Sequence, residues 1–92
     1  MNKSKKQIWV VWHIDEWGKY IFPALITTSI TKVKSFLLNK IKLGEEVYNS
    51  TVYSKSKMME IFRFDFKNHE RRIINDNLHY FQYDYYYDGE EI

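Results

Sequence analysis

The end of the chain constrains the fold more than any other stretch. Phe81, Tyr83, Tyr85 and Tyr87 alternate with Gln82, Asp84, Tyr86 and Asp88. Period-two alternation of this kind marks a strand with one aromatic face and one polar face. The aromatic face demands a cover. Phe81, Tyr83, Tyr85 and Tyr87 are therefore expected to fill the core, and Gln82, Asp84, Tyr86 and Asp88 to face outward.

The rest of the chain must supply that cover in few residues. With 92 residues the chain supports a single domain, 1–92, whose core is necessarily small. It has no cysteine, so neither a disulfide nor a cysteine-based metal staple can reinforce the core. Aromatic mass takes their place: Phe, Trp and Tyr make up 18% of the residues. Such a composition specifies a folded chain, not a disordered one.

Ile8 to Ile14 is apolar on both parities and reads as a central strand covered on both faces. Asp15 to Lys19 reads as a turn around Gly18, and Tyr20 to Thr27 as the returning strand. Pro23 places that strand at an edge or in a bulge. Ser29 is the expected N-cap of a helix over 30–43, with Ile30, Val33, Phe36, Leu37 and Ile41 on one side and Gly44 as its C′ residue. Residues 45–56 read as a loop, with a helical turn over 55–61. Phe62, Phe64 and Phe66 alternate with Arg63, Asp65 and Lys67, which predicts a strand over 61–67. A helix would align Met58, Phe62, Phe66 and Ile73 but turn Ile61 and Phe64 away, so the strand is preferred. Arg71 to Ile74 and Leu78 to Tyr87 complete the pattern as strands. The expected architecture is α+β: one antiparallel sheet, built from an N-terminal β-hairpin and a C-terminal meander, with one main helix packed on a face.

Charge is divided along the chain. Residues 1–44 carry eight Lys against two acids, a net +6, and residues 45–92 carry six Lys/Arg against ten acids, a net −4. The start, 1–7, reads as a flexible basic leader. His13, Asp15 and Glu16 interrupt what a secretory signal would keep apolar. No apolar run approaches the roughly 20 residues of a membrane span, and a cytoplasmic location is expected.

No pattern of catalytic chemistry emerges. His13, His69 and His79 lack the i, i+4 spacing of a helical metal site. The acid pairs Asp15-Glu16, Glu45-Glu46 and Glu90-Glu91 point to opposite faces if extended. Asp84 and Asp88 stand about 13 Å apart on a strand. No nucleophile elbow and no phosphate-cradling glycine loop is present. A non-enzymatic protein without cofactor or metal is expected.

Two binding surfaces remain. The first is acidic and tyrosine-bearing: Gln82, Asp84, Tyr86, Asp88, Glu90 and Glu91, suited to a protein partner. The second is basic: Lys3, Lys5, Lys6, Lys32, Lys34, Lys40 and Lys42, suited to nucleic-acid phosphates, with Trp9, Trp12 or Trp17 available for stacking. The acidic last strand has the wrong charge sign for a phosphate backbone, so the protein partner is preferred. A last strand at the sheet edge would also permit a homodimer through strand pairing.

In order and texture the chain resembles small uncharacterised proteins of low-GC Gram-positive bacteria and their phages. The resemblance rests on Ile8-Trp9-Val10-Val11-Trp12-His13 with Asp15-Glu16-Trp17-Gly18, on the Thr28-Ser29-Ile30-Thr31-Lys32 helix start, and on Tyr83 to Glu91. The 45–77 region is longer than in that class. The resemblance implies no activity and assigns no functional residue; it points to a phage or mobile-element accessory protein. Such a protein is expected to bind and modulate a host macromolecule, in the host cytoplasm.

Overall fold

Apolar side chains on both parities leave the first strand without a solvent face, and it lies inside the sheet. The computed structural model describes residues 6–41, 54–75 and 79–87. Its elements are β1 (Gln7–Ile14), β2 (Tyr20–Thr27), α1 (Ile30–Lys40), α2 (Lys55–Asn68), β3 (Arg72–Asn75) and β4 (Tyr80–Tyr87). The four strands form one antiparallel sheet in the order β2-β1-β4-β3. Both helices pack on the same face of it. The fold is thus α+β with a single sheet, as the alternation pattern implies.

β1 and β2 are joined by a turn that Asp15 closes. Its Oδ1 accepts from the Trp17 and Lys19 amides at 3.0 and 2.8 Å, and Gly18 adopts φ +83°. β2 is an edge strand, and its register with β1 slips twice, between Val11 and Trp12 and between His13 and Ile14. Pro23 sits beside one of these slips, on a strand where its missing N–H costs nothing. Proline and bulges make this edge a poor template for another strand. The other edge, β3, is only four residues long. β4 is not an outer strand of the sheet: it lies between β1 and β3, and β3 covers its first half, Tyr80–Tyr83.

The aromatic half of β4 packs as its alternation predicts. Trp9 and Val11 of β1, with Phe81 and Tyr83 of β4, join Val33 and Leu37 of α1 and Met58 and Phe62 of α2 in one core. Trp9 is its hub: Phe66, Tyr85 and Tyr83 surround the indole at 4.8, 5.4 and 6.0 Å between centroids.

Ser29 caps α1, its Oγ accepting from the Lys32 amide at 3.3 Å. The helix ends at Lys40 with Ile41 as C-cap, short of the expected residue 43. The expected Gly44 cap and the loop at 45–53 lie outside the described residues.

The expected strand over 61–67 is a correction. These residues belong to α2, capped by Ser54, whose Oγ accepts from the Lys57 amide at 3.1 Å. The 3.6-residue spacing of Met58, Phe62 and Phe66 prevails over the local two-residue alternation, because the sheet offers a wide apolar face to a helix stripe. Phe64 is consequently exposed. Ile73, which a helical alignment would have joined to this stripe, is exposed on β3.

α2 is also held by a buried polar clamp. Asp65 is fully buried, accepting from Arg72 Nε at 2.5 Å and Nη2 at 2.9 Å. The Tyr83 hydroxyl donates to the same carboxylate. Hydrogen bonding to Asp65 raises the pKa of Arg72, and burial followed by the Asp65 bond raises that of Tyr83. The helix ends just beyond: His69 takes the left-handed conformation at φ 54°, and the Glu70 amide donates to the Asp65 carbonyl at 2.9 Å. Arg72→Met should cost about 3–5 kcal/mol in urea unfolding, because it strands a charge inside the protein. The Asp65→Leu/Arg72→Met double variant should recover much of that loss; equal loss in both would show the pair to be incidental.

Candidate functional site

Helices on one side of a sheet leave the other side to be accounted for. Opposed residues of an antiparallel pair share a face. The face turned away from the helices therefore carries Ile8, Val10, Trp12 and Ile14 of β1, Gln82, Asp84 and Tyr86 of β4, and Ile73 of β3. Ile26 and Tyr20 of β2 join them, opposite Val10 and Ile14.

This face is built around a buried carboxylate. The Tyr20 ring lies flat on the Trp12 indole, 4.6 Å between centroids and 10° between planes. Its hydroxyl donates to Asp84 Oδ2 at 2.6 Å and accepts from Gln82 Nε2 at 2.9 Å. Gln82 Nε2 also lies 2.9 Å from Asp84 Oδ1. Arg71 approaches from the β3 side, its Nε 3.7 Å from Asp84 Oδ1. Arg71 also donates from Nη2 to the Tyr85 carbonyl at 2.8 Å and places its guanidinium 4.1 Å from the Tyr85 ring centroid. It so satisfies a backbone acceptor of β4 beyond the end of the β3 ladder.

The expected protein-binding residues divide accordingly. Gln82, Asp84 and Tyr86 share the helix-free face, as parity predicts. Asp84 is the correction: it is only 2% exposed, because Tyr20, Gln82 and Arg71 close over it. It acts as an anchor beneath the surface. Asp88, Glu90 and Glu91 lie outside the described residues. Sequence order hid Tyr20 and Arg71, 64 and 13 positions from Asp84. The only hint was Tyr20 opening a strand that had to return beside β1.

The described members of the basic set do not gather on this face. Lys32, Lys34 and Lys40 project from α1, on the opposite layer, and Lys6 precedes β1. Lys34 and Lys40 lie over the Phe66 and Phe36 rings at 5.9 and 5.7 Å. Trp9 is buried and Trp12 lies under Tyr20, so neither offers a free stacking face; Trp17 is 83% exposed at the β1–β2 turn. Lys3, Lys5 and Lys42 lie outside the described residues.

The histidines separate. His69 caps α2, whereas His13 and His79 border one cleft at the end of the sheet. Among the described residues no three His, Asp or Glu side chains gather as a metal site would need. No described helix is long and apolar enough to cross a membrane. Comparison with protein-family models, with curated proteins and with solved structures finds no match.

Tyr20 reports on the network. Its ring is 47% exposed, but its hydroxyl is the end turned in to Asp84. Burial, followed by the bond to Asp84, pushes its pKa up to about 12. The folded state therefore holds a proton that the unfolded chain releases near the ordinary value of about 10. The stabilisation is complete below that pH and is lost as pH rises toward 12. Subtracting the tyrosinate absorbance titration of Tyr20→Phe from that of wild type should leave one group titrating near 12; a group near 10 would show that the bond does not persist in solution.

Proposed function

We propose that this is a non-enzymatic accessory protein whose helix-free sheet face docks on a partner protein. One observation carries the proposal. That face combines exposed apolar side chains, Ile26 and Ile73 at 53% and Tyr20 at 47%, with a hydrogen-bonded network that fixes its centre. Isolated exposed apolar residues are ordinary. Three on one sheet face, beside the half-buried Trp12 and Tyr86, form the kind of patch that partners cover.

The energetics favour a protein. Tyr20 is held by stacking and two hydrogen bonds, so little freedom is lost when it is covered. Arg71 and Gln82 supply polar groups beside it, as interface rims do. The charge of residues 45–92 and the distance of the α1 lysines from this face speak against a phosphate backbone. A role in modulating a host protein in the host cytoplasm is the version of this reading that suits the resemblance to small uncharacterised proteins of low-GC Gram-positive bacteria and their phages.

The exposed residues, not Asp84, are the ones to alter. Pull-down from lysate of a low-GC Gram-positive host should recover a saturable partner with wild type and with Lys32→Ala on the helix layer. Ile26→Lys/Ile73→Lys should lose it while retaining the wild-type circular dichroism and unfolding midpoint. Equal recovery by all three proteins would assign the partner to another surface.

A further inference from the structure

Outside the docking face, the described residues enclose a cleft of about 360 Å³ at the end of the sheet, between α1 and the β2-β1-β4 strands. This lies within the size range of small-molecule sites, roughly 300–1,000 Å³. Aromatic rings form its walls. Phe81 is the floor, 4% exposed, with Phe36 edge-on to it at 5.6 Å and His13 tilted at 5.5 Å. His79 stacks with Phe81 at 6.0 Å, and Phe22 stands edge-on to His13 at 5.0 Å.

The polar groups are of one kind. Lys40 and the two imidazoles border the cleft, and among the described residues no carboxylate lines it. Lys40 lies in the last turn of α1, its ammonium 5.7 Å from the Phe36 centroid, over the wall. The C-terminal end of a helix carries partial negative charge. Any attraction for an anion there thus depends on Lys40.

The geometry points to a binding site for a small, flat aromatic carboxylate. Its ring would lie among Phe22, Phe36 and Phe81, and its carboxylate would meet Lys40 Nζ. Slots between edge-on rings favour planar groups, because a ligand ring can continue the offset and edge-to-face contacts already present. The charge-assisted bond to Lys40 would fix its orientation. The docking face lies on the other side of the sheet, so this site stands or falls independently of the proposed protein partner.

The test is an amide-resolved NMR titration of the full chain with 2-naphthoate, compared with the uncharged 2-naphthamide. Saturable shifts should centre on His13, Phe22, Ala24 and Lys40. Replacing the carboxylate by the amide, or Lys40 by methionine, should each weaken binding about tenfold. Lys40→Met should leave 2-naphthamide binding unchanged, and Lys32→Met should change neither. Lys40 is exposed, so its replacement leaves the core intact. The proposal is overturned if shifts fail to saturate, if they centre elsewhere, or if Lys40→Met binds 2-naphthoate as wild type does.

Discussion

The placement of α2 depends on a carboxylate sealed away from water. Among the described residues Asp65 is satisfied by Arg72 and Tyr83, which belong to two neighbouring strands. Apolar contacts alone would hold a helix on a sheet with some freedom to slide, since the hydrophobic effect has no direction. A bidentate guanidinium–carboxylate pair has direction. It fixes the rotation of α2, and with it the positions of Phe62 and Phe66 against Trp9 and Tyr83. A chain without cysteine obtains in this way one specific cross-connection between its two layers.

A second carboxylate does comparable work on the other side of the sheet. Asp84 neighbours Tyr83 in sequence, so the strand that supplies the hydroxyl for Asp65 also supplies the acceptor for Tyr20. Each face of β4 thus carries a tyrosine–aspartate bond reaching another element. Inside, the bond orients a helix; outside, it presses the edge strand's first tyrosine onto Trp12. The polar half of the strand, which the alternation assigns to solvent, is in part a second small core.

Much of the fold was legible because each element carries one dominant pattern. β1, β2, α1 and β4 appear where apolar periodicity and turn chemistry place them, and Ser29 is the N-cap. Residues 61–67 satisfied two periods at once. Only the presence of a broad apolar sheet face decided between them, and that face is assembled from distant segments. The site was legible by parity but not by depth. Alternation put Gln82, Asp84 and Tyr86 on one face correctly; the burial of Asp84 requires Tyr20, which sequence cannot bring beside it. For the same reason His13 and His79 read as unrelated residues, until the pairing of His13 with Phe81 set them at one cleft.

The two slips of register in β2 have a further consequence. Thr27 and Leu25 share the helix face with Trp9 and Val11; past the first slip that face passes to Phe22, and past the second Tyr20 is on the opposite face. Each extra residue inverts the in–out phase of the strand, and the second restores what the first reversed. β2 therefore behaves like a message with two compensating frameshifts. Loss of one residue near Ala24 or Ile21 would not shorten the strand so much as mis-phase one half of it. The proposed docking surface and the aromatic cleft both draw on β2, so they share this phase as a common inheritance although they lie on opposite sides of the sheet.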